Sequence, residues 1–207
     1  MTRRAQTGAL GMLLWAAALA LPARAAPQVQ NGGFEADSYT VSPGYARQNG
    51  DQITGWTFAG GAGVNPVWPD GARKAGPEAP FLDNGRVPQG RQVAFIQGPG
   101  ALRQQLAGLR PDRRYRVLYR ENARVQRRGS EWPRLRLLLG DQVLVSAHEV
   151  TPVAAAEQMD VPFYRVESAW FTPPAAGTFE LRFETVQKTG TTTVLLDDIR
   201  LEEALVP

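Results

Sequence analysis

The chain contains a single histidine, His148, and this is the first residue to consider for catalysis. A nucleophilic serine needs a base within hydrogen-bonding reach, and a histidine commonly fills that role. The sequence has no G-x-S-x-G turn, and its lack of cysteine excludes thiol nucleophiles, disulfides and cysteine-ligated zinc. His148 lies in Ser146–Glu149 at the end of a predicted strand, where a histidine is typically an ordinary surface or core residue. The sequence therefore predicts a protein that is not an enzyme.

Carboxylates offer a second route to catalysis. A glycosidase needs two acids that face one cleft. The 20 acidic residues of the chain leave hydrolysis by paired carboxylates open as a less favoured alternative.

Asp197 is the acid with the most specific expected environment. In the closing segment 195–201, strand alternation places Asp197 on the face of Ile199 and Leu201 and predicts that its side chain points into the fold. A lone buried carboxylate is costly, so either a cation or hydrogen bonds from backbone amides must offset its charge. Both interpretations remain open.

Aromatic side chains are candidates for sugar binding, because flat rings can cover the apolar faces of pyranoses. Trp68 and Trp132 are each followed by proline and lie among turn residues. Such a loop tryptophan either caps the core or forms an exposed platform, and both interpretations remain open. Tyr45 is a further candidate ring. Asn122 and Arg124, at the end of a central strand, are predicted to supply polar contacts on a concave face.

The first residues have the three-part layout of a secretory signal peptide. The basic start Met1–Arg4 precedes an uncharged apolar run of 13 residues, Ala9–Leu21, and the small residues Ala23 and Ala25 then form an Ala-x-Ala cleavage site. This run is too short to span a bilayer, which needs about 20 residues. We therefore predict a cleavable signal peptide over residues 1–25 and a periplasmic or secreted protein without stable membrane insertion.

The charge balance argues against a nucleic-acid partner. The chain has 23 basic and 20 acidic residues, but three of the arginines lie in the predicted signal peptide. The remaining chain has equal numbers of both, whereas a nucleic-acid partner needs surplus positive charge to release counterions. We predict a single domain over residues 26–207 that does not bind nucleic acid.

Short β-branched or aromatic runs separated by Gly, Pro and Asn predict about nine or ten strands and few helices. Trp56 is predicted to be a core residue and Trp170 a strand residue, and Gly140-Asp141 predicts a two-residue hairpin turn. This pattern indicates an all-β sandwich or barrel. The predicted strands are 53–58, 91–97, 101–106, 114–121, 135–139, 142–145, 163–171, 178–184 and 191–202.

Several motifs in a fixed order carry a family resemblance. They are Asn31–Glu35 (NGGFE), Gly55-Trp56, Pro111-Asp112 with Tyr115, and Asp197–Ile199 (DDI). In this order they resemble the galactose-binding-like jelly roll of the carbohydrate-binding modules attached to xylanases and cellulases. The family has Pro-Gly where this chain has Pro111-Asp112. The resemblance covers about residues 28–203 and implies a jelly-roll β-sandwich of two antiparallel sheets.

The same resemblance implies a structural calcium ion and a glycan partner. In the family the metal lies where the first and last strands meet, and the implied ligands are the Gly33 carbonyl and the Glu35 and Asp197 carboxylates. Calcium binds six to eight hard oxygens, so these groups suit it. A non-catalytic exported module that binds a glycan or polysaccharide is the leading prediction. A structural or adhesive cell-surface domain without a small ligand is the alternative.

Overall fold

The computed structural model describes residues 26–38, 53–67, 79–124, 131–156, 160–187 and 190–206. The predicted signal peptide and two predicted ligand residues, Trp68 and Tyr45, lie outside these ranges. Within the described part of the chain, no helix is long and apolar enough to cross a membrane. In the described ranges the helical structure is a single 3₁₀ turn, Leu82–Asn84. The prediction of an all-β protein is confirmed.

Eight strands form one continuous antiparallel sheet in the order β5-β4-β7-β2-β8-β3-β6, and β1 pairs with β2 beside this path. Their bounds are β1 Thr57–Pro66, β2 Gln92–Leu109, β3 Arg113–Ala123, β4 Arg134–Leu139, β5 Gln142–Glu149, β6 Tyr164–Glu167, β7 Gly177–Thr185 and β8 Thr193–Leu205.

The long strand β2 divides this sheet into two halves. Its first part pairs with β8 over Ala94–Gln97, and its last part pairs with β7 from Ala101 to Leu109. Between them the register with β1 shifts at Gly60/Gly61. The half with β3, β6 and β8 therefore curls over the half with β4, β5 and β7, as the layers of a sandwich do. Two separate sheets were predicted; the described strands form one curled sheet instead.

The sequence predicted a break between strands at Gly98–Gly100, and this was wrong, since β2 runs through it. Proline cannot donate a backbone hydrogen bond and is rare in central strands except at bulges. Pro99 is tolerated because it lies where β2 changes partners. The glycine at position 60 fits the same bend, because an added Cβ would lie 2.1 Å from the Pro99 oxygen.

The main core lies between the two halves. Tyr119 on β3 meets Phe183 on β7 edge-on, with ring centroids 5.0 Å apart. Trp56 lies 6.3 Å from Phe183 and 5.4 Å from Phe34. The ring of Trp56 is buried, which confirms its predicted place in the core. These aromatic contacts hold the two halves of the sheet together.

A bulge in β8 determines which way Asp197 faces. The register between β3 and β8 shifts there, and Asp198 adopts a φ of 53°. Ile199 and Leu201 pack in the main core, whereas Asp197 shares the opposite face with Leu195, which belongs to a second apolar cluster. The extra residue of the bulge reverses the alternation, so the predicted common face was wrong. Asp197 is nevertheless fully buried, as predicted.

The structure tests two further predictions, a hairpin turn and the length of a strand. The hairpin turn is confirmed, because β4 and β5 pair on either side of Gly140, which has a φ of 56°. The predicted strand 163–171 is shorter, since β6 ends at Glu167. Trp170 therefore lies outside the strand in which it was predicted.

Candidate functional site

The N-terminal motif Asn31–Glu35 forms a turn that is fixed to the last strand. The Gly32 oxygen accepts a hydrogen bond of 2.9 Å from the Ile199 amide. An added Cβ on Gly32 would lie 2.0 Å from the Ile199 oxygen, so this approach requires glycine. Trp56 Nε1 donates to the Asn31 oxygen at 3.1 Å, and Phe34 is fully buried. The motif thus joins the first described segment to the core.

The two carboxylates predicted to bind metal accept hydrogen bonds from one loop. Glu35 Oε1 accepts from the backbone amides of residues 91 and 92 at 2.8 and 2.7 Å. Asp197 Oδ2 accepts from the Gln89 amide at 2.8 Å, and its Oδ1 accepts from the Asp198 amide at 2.7 Å. Backbone amides, one of the two alternatives for offsetting the Asp197 charge, are therefore present.

These amides do not fully offset the burial of Asp197. The pKa of Asp197 is raised to about 8, mainly by burial; the two amide hydrogen bonds lower it, and the nearby charges of Asp198 and Glu35 add to the rise. A cation between the carboxylates would favour the ionised form. Among the described residues, no group of three or more His, Asp or Glu side chains could hold a metal. Backbone carbonyls such as that of Gly33 would have to complete the ligand set, and calcium accepts such ligands.

Glu121 is a second buried acid, and it lies between the two halves of the sheet. Its side chain is buried on β3, and its Oε1 lies 2.8 Å from Nε2 of His148 on β5. The side chain of His148 is 32% exposed. The imidazole therefore connects a buried carboxylate with the solvent.

Both ring nitrogens of His148 face acceptors. Nε2 meets the Glu121 carboxylate, and Nδ1 lies 3.2 Å from the Ser146 oxygen. Acceptors at both nitrogens favour the doubly protonated ring, because both nitrogens are then donors. The hydrogen bond to Glu121 is the main cause that raises the pKa of His148 above its ordinary 6.5, and partial burial opposes it. His148 is thereby suited to donate a proton near neutral pH.

Tyr119 places a hydroxyl in the same interior. This hydroxyl and Glu121 Oε2 are both buried and lie close enough to pair with each other, and no other described group pairs with either atom. Burial, followed by the charge of Glu121 and the hydrogen bond to it, raises the pKa of Tyr119, so the phenol stays protonated.

Asn122 is buried and holds a loop, which corrects the expectation that its side chain faces a ligand. The side chain is fully buried, and its nitrogen donates to the oxygens of Val153 and Pro162 at 2.9 and 2.8 Å. Its oxygen accepts from the Val153 amide at 3.0 Å. The Arg124 guanidinium lies over the Phe81 ring at 5.9 Å. Asn122 therefore fastens a loop to β3.

Two tryptophans present exposed rings. Trp132 is 38% exposed, which fits a platform better than a cap over the core. Trp170 is 39% exposed, and the guanidinium groups of Arg114 and Arg116 lie 5.0 and 4.9 Å from its ring centroid. The predicted strand position of Trp170 was wrong, and its exposure was missed. Ligand binding by Trp132 stays a prediction.

Sequence reasoning missed Glu121 and Tyr119 as functional candidates. The signal was present, because alternation along β3 puts Tyr115, Val117, Tyr119 and Glu121 on one face. An acid that continues an apolar face is expected to be buried and to need a partner. The partner, His148, is on a strand of the other half, which alternation alone does not reveal.

Comparison with known proteins identifies both a family and a fold. The profile of the HpiC1-like family, described as HpiC1 cyclase, matches residues 25–202. No curated protein sequence matches the chain. A cyclase from Fischerella sp. TAU, solved in complex with 4-(1H-indol-3-yl)butan-2-one, is similar with a TM-score of 0.58 and 21% identity. That similarity covers 86% of this chain and 97% of the cyclase.

Sugar-binding proteins are also similar in structure. TmCBM61, a carbohydrate-binding module in complex with β-1,4-galactotriose, has a TM-score of 0.53 and 15% identity over 87% of this chain and all (100%) of the module. An arabinose-bound α-L-arabinofuranosidase has a TM-score of 0.51 and 9% identity, over 86% of this chain and 26% of the enzyme. The predicted resemblance to the jelly roll of carbohydrate-binding modules is confirmed.

The family match corrects one prediction. The lack of a recognisable triad led to the expectation that the chain is not an enzyme. A match to a cyclase family over most of the chain indicates an enzyme instead. The expectation was wrong because it considered only arrangements with a nucleophile or with two acids, and cyclisation requires neither.

Proposed function

This chain belongs to the HpiC1-like cyclase family, and we propose that it is an enzyme that cyclises an unsaturated substrate by proton transfer from His148. The observation that carries the proposal is the 2.8 Å contact between buried Glu121 and His148. That contact holds the imidazole in one orientation and stabilises its charge. The side chain of His148 is also accessible enough to meet a bound molecule.

The proposed reaction begins with the His148 imidazolium. Its Nδ1 proton adds to a carbon of a substrate double bond, and a carbocation forms on the neighbouring carbon. An electron-rich ring carbon of the substrate attacks the cation, which forms the new carbon–carbon bond. The ring then loses a proton to the neutral imidazole, which restores the imidazolium. The product is an isomer of the substrate, so the reaction needs no co-reactant.

Glu121 assists every step of this cycle without leaving its place. Its carboxylate accepts a hydrogen bond from the Nε2–H group of His148, and its negative charge stabilises the positive imidazolium. The contact from Nδ1 to the Ser146 oxygen is on the exposed side and is long, at 3.2 Å. A substrate can therefore replace that contact without breaking the buried one.

We propose an aromatic substrate with an unsaturated side chain, such as an alkenyl indole. The similar cyclase from Fischerella sp. TAU was solved with an indole ketone, which supports this class. The test is to incubate the protein with a panel of 3-alkenyl indoles in D₂O. We expect a product with a new retention time that has gained one deuterium. A cyclised product without deuterium would exclude protonation by an exchangeable acid, and a panel without any product would exclude this substrate class.

We also propose a structural calcium ion at the loop held by Glu35 and Asp197, with the Gly33 carbonyl as a further ligand. The burial of Asp197 and its elevated pKa support a cation there. The ion would stabilise the join between the N-terminal turn and β8 and would take no part in the reaction.

Calcium should raise the melting temperature of the purified protein. A ligand that binds only the folded state stabilises it by about 2.7 kcal/mol at a hundredfold excess over its dissociation constant. Asp197→Asn and Glu35→Gln should each remove this response in differential scanning calorimetry. Asp112→Asn, at an exposed acid, is the matched control and should keep it. Identical melting curves with calcium and with chelator would refute the site.

Glycan binding is a second candidate function, and the exposed ring of Trp132 is the observation that favours it. Similarity to the galactotriose-bound module makes β-1,4-galactan the polysaccharide to test. A ring stacked on a sugar contributes roughly 2–3 kcal/mol before entropy losses. Trp132→Ala should therefore abolish retention in affinity electrophoresis without lowering the melting temperature.

The control for this experiment is Trp170→Ala, because Trp170 is equally exposed but lies against two arginines. Retention of the unaltered protein and of this control, with loss for Trp132→Ala alone, would establish the platform. Equal migration of all three proteins with and without galactan would remove glycan binding from consideration.

We also propose export to the periplasm or the medium, with cleavage after Ala25. This part of the proposal rests on the layout of the first 25 residues.

A further inference from the structure

Three side chains form a row that runs from the interior of the sandwich to the solvent. Tyr119 and Glu121 are two residues apart on β3, so alternation puts both side chains on the same face. Both are buried, and Glu121 Oε1 lies 2.8 Å from Nε2 of the partly exposed His148. The Tyr119 hydroxyl lies close enough to pair with the second carboxylate oxygen, Oε2. Glu121 therefore stands between a buried phenol and the proposed acid.

The neighbours of Glu121 on the adjacent strands bring no charge to it. On β8 the residue opposite Glu121 is the buried Leu196. On β6 it is Tyr164, whose exposed hydroxyl meets the Thr151 hydroxyl at 3.3 Å. Among the described residues, the Tyr119 phenol is thus the group left to pair with Oε2.

The neighbours of His148 make Glu121 its main charged partner. On β4 the residue opposite His148 is the buried Leu135. The charged pair Arg134 and Glu149 lies one position further along the two strands and is exposed. Within the described chain, Glu121 is the charged side chain that raises the pKa of His148. A change at Glu121 should therefore be felt directly by the imidazole.

A phenol that donates to a carboxylate changes how that carboxylate treats its other partner. A hydrogen bond to the charged form favours that form, so the carboxylate becomes less basic. It then holds the Nε2 proton of an imidazolium less tightly. A general acid works best when its pKa is near the working pH, and an imidazolium held too tightly gives up its proton poorly. The phenol can play this part because burial keeps it protonated.

We propose that Tyr119 is a positioning residue for the acid: its hydroxyl donates to Glu121 Oε2, keeps Oε1 directed at His148, and limits the hold of the carboxylate on the imidazolium. This inference rests on the proposed function, because it concerns the acid of that site. Tyr119 contacts no reacting atom and acts only through Glu121. The state of His148 can nevertheless be measured without any substrate.

Tyr115 provides a matched control for this proposal. It lies on the same face of the same strand and is also fully buried. Its hydroxyl accepts a hydrogen bond of 3.2 Å from the Arg110 amide, near the start of β3. Tyr115→Phe therefore removes a buried phenol hydroxyl, as Tyr119→Phe does, but leaves Glu121 unchanged.

The test is a pH titration of His148 by NMR in the purified protein. The chain has one histidine, so the imidazole signals belong to His148 alone. Tyr119→Phe should raise the pKa of His148 by about 0.5–1, the effect of roughly one hydrogen bond that differs between the two protonation states. Glu121→Gln should lower this pKa, and Tyr115→Phe should leave it unchanged. An unchanged or lower pKa of His148 in Tyr119→Phe would overturn the proposal.

A second measurement uses the unaltered protein and does not depend on how a variant folds. The Tyr119 hydroxyl proton, identified by its proximity to its own ring protons, should exchange slowly with water because it is buried and paired. Its chemical shift should move as His148 titrates, since both groups share one carboxylate. A hydroxyl signal that exchanges rapidly, or that does not follow the titration of His148, would contradict the proposal.

Turnover separates this inference from the proposed acid. In Tyr119→Phe the fall in rate at high pH should move to higher pH, the opposite of the shift for Glu121→Gln. If His148→Gln keeps full turnover while the pKa of His148 depends on Tyr119, the acid assignment fails and the link from Tyr119 to His148 stands. If that pKa ignores Tyr119 while His148→Gln abolishes turnover, the positioning role fails and the acid assignment stands.

Discussion

Replacing His148 with glutamine should lower the rate of cyclisation by about 10²–10⁴-fold, the usual contribution of a positioned general acid. Glutamine can still donate a hydrogen bond toward Glu121, but it carries no transferable proton. Glu121→Gln should lower the rate as well, because it removes the charge that stabilises the imidazolium. The measurement is the initial rate of deuterated product formation. Glu149→Gln, at an exposed acid on the same strand, is the control and should retain the rate.

The dependence of the rate on pH is a second test of the Glu121–His148 pair. The acid must be protonated, so the rate should be high below the raised pKa of His148 and should fall as the pH rises through it. In Glu121→Gln this fall should begin at a lower pH. The pair also stabilises the fold, fully below the ordinary histidine pKa of about 6.5 and progressively less as the pH rises through the folded value. A rate that rises with pH across this range would contradict the assignment of His148 as an acid.

Replacing Trp56 with alanine should lower the free energy of unfolding by about 3–5 kcal/mol, the range for removing a large buried ring. The ring contacts Phe34 and Phe183, and its nitrogen holds the Asn31 oxygen. The substitution therefore removes packing between the halves of the sheet and releases the N-terminal turn. Urea unfolding followed by far-UV circular dichroism measures the change.

Trp132→Ala supplies the comparison for this experiment, because its ring is partly exposed. Surface substitutions usually change stability by less than about 0.5 kcal/mol. A loss for Trp132→Ala as large as that for Trp56→Ala would show that both rings support the core, and the platform interpretation of Trp132 would be wrong.

Local patterns were sufficient to predict most of the strands and the burial of Trp56, whereas the burial of Asp197 was predicted from an alternation that the bulge at Asp198 reverses. Alternation and turn residues determine which short segments extend and which side chains turn inward. They failed at Gly98–Gly100 and at Asp198, where a bend and a bulge interrupt the alternation. In both places the cause is the pairing with a strand distant in sequence, so a local pattern could not show it.

The candidate site could not be predicted from the sequence because it, too, depends on contacts between segments distant in sequence. Glu121 and His148 come from different halves of the sheet, and their contact depends on the curl of β2. Without that contact His148 looked like an isolated strand-end residue. Asn122, with its amide at the end of the same strand, looked like a ligand contact, but it faces a loop instead of the interior.

The place of β8 in the sheet has a consequence for the order in which the protein can fold. This last strand lies between β2 and β3, and Ile199 on it holds the N-terminal turn. A chain that emerges from the ribosome N-terminus first can pair β1 with β2, but β3 and β6 cannot join that half until β8 is available. Pairing between segments so far apart in sequence slows folding. The delay suits a polypeptide that must remain unfolded while it crosses a membrane, as the predicted signal peptide implies.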